Sequence, residues 1–581
     1  MNQLGLSSQS HVRTQRRARR NLAGGLAVLG AVLIAGCTSD GEPQSAASST
    51  ETTDGSAVTI TINDPDAIGV LGDDLLSLAE GIQLASGTVK VDELSAAEAE
   101  QIDGAPGADS PDQLRFDVDG DRVEVPVQSV PEGMDWEPAP ADTLLPELSN
   151  NAGDTLLGDG VTIANGPEGS PIGGLALRIN SSDVTVTATR FERFAEMISV
   201  QPLTEAGISG VELAGNSFHD GGGISLTATA KDGSIGKLEG IVIDGNELLG
   251  PPEFGGEFPR SIHSAIGANG TLMTAPNTSG RSAEMNDITI TDNVIRGFQG
   301  GLSIAALQSV SGNRGGSIDG MLIEGNTVEM PSGAGDPAVY LWGAVNLGGA
   351  ISDVSVRNVR IIDNDVRSNG YAVLVAGVEH LLANTTTSTS VSVDAVEISG
   401  NRVAPVDDCS IGVLVMGAFT EMGGGPATDV QLTEIDVTGN EVENCETGVF
   451  ATPVLNWGTA GVSTGNSIDA LRIERNTILG ATRSVVAAAG AVMGTSLDYD
   501  NAPDAGVADN KISGLSIIDA NDGGAEVVVA GGIGWGAPGS VTRNSVTVDT
   551  LDVAGACSAE ADVRIDTDAS VTGNSISGAT C

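Results

Sequence analysis

The sequence predicts an all-β protein built as a solenoid of stacked coils. The main observation is a repeat, in which an asparagine has Leu, Ile or Val three residues before it and a large apolar residue two residues after it. Repeats of this kind are single supersecondary units that bury their apolar face only by stacking on neighbours. The asparagines are Asn216, Asn246, Asn293, Asn326, Asn364, Asn401, Asn440, Asn476, Asn510, Asn544 and Asn574.

Two further observations support this prediction, namely the strand pattern within each repeat and the composition. Successive asparagines lie 30, 47, 33, 38, 37, 39, 36, 34, 34 and 30 residues apart. In one repeat, the alternation of Ile435 and Val437 predicts a strand with one buried face. Asn440 then marks a bend, and residues 447–454 predict a second strand. Aromatic residues make up 3% of the chain, as expected for a narrow core of Val, Ile, Leu and Ala.

Asparagine suits such a bend for two reasons. It tolerates the left-handed backbone conformation that a sharp corner needs. Its side-chain amide can also hydrogen-bond to the same asparagine of the next coil, which would build a ladder along the stack. We therefore predict one ladder with eleven rungs, one in each repeat. Asparagines that merely mark surface turns are the alternative.

The frame Ile-x-x-Asn-x-Val at a corner resembles the short repeat of right-handed parallel β-helices of the pectate-lyase-like superfamily. The resemblance implies a right-handed, single-stranded solenoid. At a strand spacing of about 4.8 Å, eleven coils would span roughly 50 Å.

The N-terminal segment predicts export and a lipid anchor. Residues 1–36 hold five arginines and no acidic residue, and residues 22–35 are apolar, which is typical of a signal peptide. The motif Ile-Ala-Gly-Cys that ends at Cys37 resembles the lipobox of bacterial lipoproteins. The resemblance implies cleavage before Cys37, acylation of its thiol, and an extracytoplasmic place in the cell envelope, at the outer membrane or cell surface. An ordinary signal peptide with a cysteine nearby is the alternative.

Residues 37–57 are rich in Ser, Thr, Asp, Glu and Gly, which predicts a flexible tether. Residues 58–170 should form an N-terminal cap with the first coils, and residues 171–581 the β-helix repeats. In the cap, residues 58–62 predict a strand. Residues 73–87 predict a short capping helix, with Asp73 or Asp74 as N-cap and Gly87 as its end.

The stretch Leu-Leu-Ser-Leu-Ala-Glu-Gly-Ile at residues 75–82 resembles the signature of CSLREA-type domains, which open the β-helices of many bacterial surface proteins. Ser77, Leu78, Glu80 and Ile82 match. The sequence departs from the signature at Leu76, Ala79 and Gly81. The resemblance implies a fold and a surface location but no common reaction.

Three alternating carboxylates at Asp117, Asp119 and Asp121 imitate the start of a calcium loop. The closing Glu of a twelve-residue loop is missing, so calcium remains an alternative here rather than the prediction. Asp119-Gly120 between alternating valines predicts a hairpin turn instead. The sequence predicts no metal site and no cofactor.

The charge excludes some partners. The chain has a formal net charge of −50, and removal of the five leader arginines would make it −55. Such a surface repels nucleic acid and anionic lipid headgroups. Nucleic acid is therefore not an expected partner. The lipobox resemblance implies membrane lipid as a partner through the acylated Cys37, and a polysaccharide or other surface ligand is a further candidate.

Four further cysteines predict two disulfides in an exported protein. Cys409 and Cys445 both open a Cys-x-x-Gly-Val segment, in consecutive coils. Equivalent Cα atoms of stacked strands lie about 4.8 Å apart, within the range of a disulfide. Cys557 and Cys581 would then close the last coils. Free stacked thiols are the alternative.

Catalytic patterns are scarce. Of the sets expected in polygalacturonase-like hydrolases, only Asp407-Asp408 is found, and we interpret His219 as part of a solvated turn. The longest repeat carries two acids, an arginine and a histidine that together could serve proton abstraction beside a uronate carboxylate, although four such polar residues are also typical of an ordinary surface loop. They are Glu253, Glu257, Arg260 and His263.

Polar loops after the second strands, with Trp342, Trp457 and Trp535 nearby, could bind sugar rings, or the tryptophans could anchor the loops. The leading hypothesis is a non-catalytic module for binding, adhesion or surface presentation, with carbohydrate among its candidate ligands. The alternative is a polysaccharide lyase or glycoside hydrolase on the loop-fringed face.

Overall fold

The computed structural model of the protein is an all-β parallel β-helix. It describes residues 58–127, 144–150, 152–170, 172–230, 234–251, 264–273, 282–309, 314–332, 337–346, 351–380, 390–420, 425–457, 461–493, 506–520, 525–535, 539–565 and 569–581. Their strands form three sheets that run along the stack. No helix within these ranges is long and apolar enough to cross a membrane.

The first sheet carries the strands that precede the repeated asparagine in most coils. Its strands are Val58–Ile62, Ile102–Asp103, Asp112–Phe116, Asp154–Leu157, Thr185–Thr187, Ile208–Ser209, Glu212–Ala214, Lys237–Glu239, Val242–Asp244, Ala283–Asn286, Thr289–Thr291, Arg314–Glu324, Ser352–Ile362, Val391–Ser399, Val430–Thr438, Ser467–Glu474, Lys511–Ile518, Ser545–Asp552 and Ser575–Ser577.

The second sheet carries the strands that follow the asparagine, and the third sheet lies only at the C-terminal end. The second consists of Arg122–Val125, Thr162–Asn165, Leu175–Ile179, Arg190–Glu192, Glu196–Val200, Ser217–His219, Ile224–Thr227, Glu247–Leu249, Ser264–Met273, Val294–Arg296, Gly300–Ser309, Thr327–Glu329, Val339–Asn346, Asp365–His380, Arg402–Thr420, Glu441–Glu443, Cys445–Asn456, Thr477–Leu479, Arg483–Ala488, Ala491–Met493, Glu526–Trp535 and Cys557–Ile565. The third consists of Val462–Thr464, Gly506–Ala508, Ser540–Thr542 and Ser570–Thr572.

Equivalent strands of successive coils pair in parallel, which confirms the predicted solenoid. Ile243 pairs with Ile290 of the next coil, and Ile361 pairs with Ile398. These side chains point into the coil and are fully buried. The alternation that marked half-buried strands in the sequence therefore places one residue in two in a continuous apolar core.

The asparagines stack as predicted, but they form two separate ladders rather than one. From Asn216 to Asn476, each rung donates its backbone N–H and its side-chain Nδ2 to Oδ1 of the next rung, at 2.9–3.1 Å. A second ladder begins at Asn466 and runs through Asn510 and Asn544 to Asn574. The prediction of a single ladder was therefore wrong.

The two ladders occupy different corners of the coil. The first stands between the first and second sheets, and the second stands between the third and first sheets. Asn510 stacks on Asn466 because Ser467 pairs with Lys511. The sequence frame concealed Asn466, since a buried serine, Ser463, stands where the frame has an apolar residue.

The left-handed conformation at the corner belongs to the residue before each rung, not to the asparagine. In the first ladder these residues are Gly215, Gly245, Asp292, Gly325, Asp363, Gly400, Gly439 and Arg475, all with positive φ. The rungs themselves are absent from the positive-φ residues of the described chain. Asparagine is thus required for its amide, which satisfies buried backbone groups, rather than for its backbone freedom.

The N-terminal cap contains the predicted strand Val58–Ile62 and the α-helix Leu78–Ala85. The helix begins later than expected, because Ser77 rather than Asp73 or Asp74 is the N-cap. Ser77 and Glu80 form a reciprocal capping box, which satisfies two helix-terminal N–H groups. A 3₁₀ turn at Val91–Glu93 and a short α-helix at Ala96–Ala99 follow.

The predicted hairpin at Asp119-Gly120 is also wrong. The strands on either side, Asp112–Phe116 and Arg122–Val125, belong to different sheets and do not pair with each other. Gly120 and Asp121 turn the chain around a corner of the coil, both with positive φ. A corner and a hairpin need the same turn residues, so the local sequence could not distinguish them.

Both predicted disulfides are present, with Cα–Cα distances of 4.4 Å for Cys409–Cys445 and 5.4 Å for Cys557–Cys581. Cys409 pairs directly with Cys445 in the second sheet, so the bridge joins equivalent positions of two coils. Cys557–Cys581 ties the last strand of the second sheet to the C-terminal residue.

Candidate functional surfaces

Several residues of the predicted sites lie outside the described ranges. These are the lipidation site Cys37 and the polar residues Glu253, Glu257, Arg260 and His263. Asp407 is described and exposed on the strand Arg402–Thr420, where its carboxylate accepts a hydrogen bond from Ser332 Oγ. The Asp407-Asp408 pair therefore gains no catalytic partner from the described residues, and the side chain of Asp408 is not among them.

His219 lies at the end of a strand rather than on a solvated turn, and charged side chains surround it. Its Nδ1 lies 3.3 Å from Arg190 Nη2, and its Nε2 lies 3.3 Å from Ser217 Oγ. The carboxylate of Glu247 lies 3.7 Å from the same Nε2. Neighbouring coils supply these groups because Ser217 pairs with Arg190 on one side and with Glu247 on the other.

The protonation of His219 follows from these contacts. A guanidinium can only donate, so Nδ1 accepts from Arg190 and the ring proton resides on Nε2. Burial and the Arg190 charge lower the pKa of His219, although Glu247 opposes them. The ring is therefore neutral at pH 7, with Nδ1 occupied by Arg190 and Nε2–H directed at Ser217 and Glu247.

Ser217 is not an activated nucleophile in this arrangement. Its hydroxyl donates to Glu247 Oε2 at 3.3 Å, which leaves no basic nitrogen to take its proton. Glu192 completes the network, with ion pairs of 2.8 Å to Arg122 and 2.6 Å to Arg190. Burial opposes the charged form of Glu192, but these arginines outweigh it and lower the pKa. The cluster is therefore a network of ion pairs in which both ring nitrogens of His219 have partners.

His380 is the other histidine in the described part of the chain. It is fully buried within the coil, and burial lowers its pKa to about 4. A neutral imidazole inside the core has no access to substrate. Among the described residues, then, neither histidine presents an accessible basic nitrogen.

In the second sheet, the side chains that point away from the coil interior form a row along the stack. The residues of this row are mostly polar in the first coils and apolar in the later ones. It runs, one residue per coil, through Arg178, Ser199, Ser225, Gly267, Ser303, Tyr340, Leu374, Leu414, Phe450, Val486 and Val528. From Leu374 to Val486 the row is buried in a second apolar cluster, separate from the coil interior.

The burial in this cluster bears on whether its tryptophans bind sugar rings or anchor loops. Trp342 is only 4% exposed, and Trp457 is partly buried against the same cluster. A sugar ring can stack only on a ring face that solvent reaches. Trp342 therefore anchors the outer apolar layer. Trp457 packs against the same layer but stays partly exposed, and the side chain of Trp535 is outside the described residues.

The N-terminal cap has a cavity of about 430 Å³ between its helix and two loops. Its walls are mostly apolar, and several of them are open to solvent: Ile68 is 37% exposed, Val70 71%, Leu71 44% and Leu144 46%. The lining residues are Ile68, Gly69, Val70, Leu71, Ala79, Glu80, Gln83, Leu144 and Pro146. Exposed apolar side chains grouped around a cavity mark an interaction site more often than scattered ones do.

Glu80 is the charged residue of this lining, and it is 3% exposed. Its Oε2 accepts from the N–H and the hydroxyl of Ser77, at 2.9 and 2.8 Å. Its Oε1 is buried and accepts no hydrogen bond from any described group. The sequence identified Glu80 only as a matching signature residue, because a capping glutamate and a ligand-binding glutamate look alike before the cavity is known.

The network around His219 was also not predicted from the sequence, although the spacing of its residues could have indicated it. Arg190, Ser217 and Glu247 all stand one residue after a corner position, and Glu192 and His219 stand three after it. The first corner residue is Thr189 instead of asparagine, so the frame did not extend to that coil. No group of three or more metal-ligating side chains that could hold a metal occurs within the described ranges.

Comparison with known proteins gives no relative for this chain. No protein-family model matches it, and neither a curated protein nor a solved structure is significantly similar to it.

Proposed function

We propose that the protein is a lipid-anchored β-helix of the bacterial cell envelope that binds or presents a surface partner and catalyses no reaction. The observation that carries the non-catalytic part is the ion-pair network around His219. It is the one place in the described residues where histidine, arginine and carboxylates meet, and each of the histidine nitrogens already has a partner.

The lipid anchor rests on the motif that ends at Cys37 and on the tether of residues 37–57. The CSLREA-type assignment rests on residues 75–82, and the capping box between Ser77 and Glu80 gives two of the matching residues a structural role. Surface presentation fits an acidic protein whose net charge would be −55 after removal of the leader, because such a surface stays soluble and resists non-specific adhesion to anionic envelope polymers.

Membrane fractionation tests the anchor. The wild-type chain should partition with membranes and carry lipid mass on its mature N-terminus. Cys37→Ala should release the protein to the soluble fraction or leave it unprocessed. Unchanged fractionation together with an unmodified N-terminus would disprove lipid anchoring.

Absorbance screening on uronate polymers tests the absence of catalysis, since a lyase would create unsaturated products that absorb in the ultraviolet. We expect no rise above that of heat-denatured protein. A rise that His219→Ala abolishes would replace this proposal with the polysaccharide lyase alternative. Reducing-sugar release from the same polymers would detect a hydrolase.

A further inference from the structure

We propose that Asp562 and Arg564 replace the next asparagine of the second ladder, and that they prevent a second copy of the chain from stacking on this end of the β-helix. Both residues lie on Cys557–Ile565, the last strand of the second sheet. Their role is therefore to keep the protein monomeric. The argument depends neither on the lipid anchor nor on the absence of catalysis.

A rung inside the second ladder makes three hydrogen bonds with the preceding coil. Asn544 Oδ1 accepts the backbone N–H and the Nδ2–H of Asn510 at 3.0 and 2.9 Å, and Asn544 Nδ2 donates to Val507 O at 3.4 Å. Asn574 makes the same three bonds one coil later. A rung beyond Asn574 would therefore accept two bonds from Asn574 and donate one to Val571 O.

Asp562 and Arg564 make these three bonds in place of that rung. Asp562 Oδ1 accepts the backbone N–H of Asn574 at 3.2 Å and its Nδ2–H at 2.7 Å. Arg564 Nη2 donates to Val571 O at 2.9 Å. The acceptor and the donor that a single asparagine amide combines are thus divided between a carboxylate and a guanidinium two residues apart.

The strand of the preceding coil shows that both side chains reach this corner from inside the coil. Asp562 pairs with Gly532, and Arg564 pairs with Gly534. A Cβ on Gly532 would lie 2.9 Å from Nδ2 of Asn574, which is buried, so this position of the strand faces the coil interior. Residues two apart on a strand share a face, so Arg564 points the same way as Asp562.

This end of the β-helix combines unpaired strand edges with apolar side chains. Among the described residues, Cys557–Ile565, Ser570–Thr572 and Ser575–Ser577 each pair with a strand on one side only. Ala559 and Ile576, which pack on the core here, are only partly buried. Every copy of the chain carries the same edges, so two copies could join these ends about a two-fold axis.

The two charges oppose that contact. Asp562 and Arg564 are exposed to solvent although they face the coil interior. A coil of a second copy stacked on this edge would take both charges out of water and would disturb their bonds to Asn574 and Val571. Inward-pointing charges protect the edges of sheets from pairing, and solenoids need polar terminal repeats to stay soluble.

The first ladder ends differently, because further coils cover its end. Ala520 lies opposite Asn476, and the coil that contains Ala520 pairs with the next one. An apolar residue thus stands at the end that lies within the stack. The charged pair stands at the end that no described strand covers, which is where protection is needed.

The test measures self-association of the full chain by sedimentation, in detergent whose density the buffer matches. Wild type should sediment as a single chain at about 100 μM, and Asp562→Leu with Arg564→Leu should approach twice that mass. Amide exchange in Cys557–Ile565 of this variant should slow at least about tenfold as its concentration rises, because the edge N–H groups become paired. Arg564→Leu alone keeps both bonds of Asp562, so it preserves the last coil, and it should also dimerise.

Exchanging the two charges separates the blocking of the edge from the bonds themselves. Asp562→Arg with Arg564→Asp keeps two inward charges but loses the bonds to Asn574 and Val571. The protein should therefore stay monomeric, while amide exchange in residues 569–581 becomes at least about tenfold faster.

Asp436→Leu with Arg472→Leu is the matched control for added apolar surface. These side chains are 39% and 52% exposed on the first sheet, in the middle of the stack. The control removes one acid and one arginine, as the leucine variant of Asp562 and Arg564 does, but it leaves the end unchanged. It should stay monomeric.

Several results would overturn the proposal. They are a folded leucine variant of Asp562 and Arg564 that stays monomeric, a charge-exchanged variant that associates as strongly as the leucine variant, and equal association of the control. Association of the leucine variant without slower exchange in Cys557–Ile565 would also contradict it. Concentration-dependent protection of this strand in wild type would show that the end is a natural interface instead.

Discussion

The two asparagine ladders use the same side chain for the same bonds at different corners of the coil. In the ladder from Asn216 to Asn476, the strand before the rung lies in the first sheet and the strand after it in the second. In the ladder from Asn466 to Asn574, these strands lie in the third and first sheets. The local frame records only which residues point inward, and neighbouring coils decide which corner the rung occupies.

The first ladder ends and the second begins within a single coil. That coil contains both Asn466 and Asn476, so it starts one ladder and ends the other. The pairing of Glu474 with Ile518 puts Ala520 opposite Asn476, and an alanine cannot accept the next pair of bonds. The first ladder stops there because its acceptor is missing, while the second continues to Asn574 and ends on the carboxylate of Asp562.

The disulfides give the largest expected effect, and each belongs to one ladder region. Cys409→Ala with Cys445→Ala should lower the free energy of unfolding by about 3–4 kcal/mol, because the closed loop restricts the unfolded chain. The sequence separations are 36 and 24 residues, so Cys557→Ala with Cys581→Ala should cost a few tenths of a kcal/mol less. Denaturant midpoints measure both, and non-reducing peptide mapping should first recover the linked peptides. Wild-type midpoints in both double variants would contradict the prediction.

Removal of a rung should cost slightly less than a disulfide. Asn364→Ala leaves the N–H of Asn326 without its acceptor and removes the donor to Ile323 O, so we expect a loss of about 3 kcal/mol. Asn544→Ala should cost about 2 kcal/mol, since the bond from its Nδ2 to Val507 O is 3.4 Å long, against 3.0 Å for the bond from Asn364 to Ile323 O.

The control for both rungs is Asn286→Ala, which alters a half-buried asparagine outside the ladders and should cost under about 0.5 kcal/mol. Equal midpoints for all three variants would show that the ladders contribute nothing beyond ordinary turns.

The stability of the cap should depend on pH, whereas the stability contributed by the two ladders should not, because the amide side chains of the rungs do not titrate. Asp112 and Asp154 are paired neighbours in the cap. Burial raises the pKa of Asp112 to about 6, and burial with the Asp112 charge raises that of Asp154 to about 7. The folded state therefore holds more protons than the unfolded state between pH 4 and pH 7.

Cap stability should fall as pH rises through that window, by more than about 1 kcal/mol for the pair. Asp154→Asn, which mimics the protonated form, should flatten the dependence as measured by hydrogen exchange in residues 58–127. A cap that becomes more stable as pH rises would contradict the sign worked out here.

The smallest expected effect comes from removing backbone strain at Ala395. Ala395 has a φ of 53°, a conformation that costs a residue with a Cβ about 1 kcal/mol or more. Ala395→Gly should stabilise the protein by about 0.5 kcal/mol after the entropy of glycine is counted. The control Ala376→Gly, on a regular strand, should destabilise by about 0.5–1 kcal/mol. A loss at both positions would show that residue 395 tolerates alanine at positive φ without strain.

The sequence by itself determined the solenoid, its in–out strand pattern and both disulfide pairs. Each of these depends on residues that recur in register along the chain, such as Ile243 and Ile290 or Cys409 and Cys445. A sequence repeat indicates which residues lie next to each other in the stack, because equivalent positions of neighbouring coils are brought together whatever the conformation of the corner.

Only the tertiary structure decided which corner each asparagine occupies, which residue takes the left-handed conformation, and where the cap has a cavity. Ser463 hid the start of the second ladder, and Thr189 hid the coil that supplies Arg190 to His219. Glu80 and Glu98 are the same residue in the same capping motif, yet one has a spare oxygen and the other does not. That difference depends on which distant N–H groups pack against each carboxylate, and distant packing leaves no mark on the local sequence.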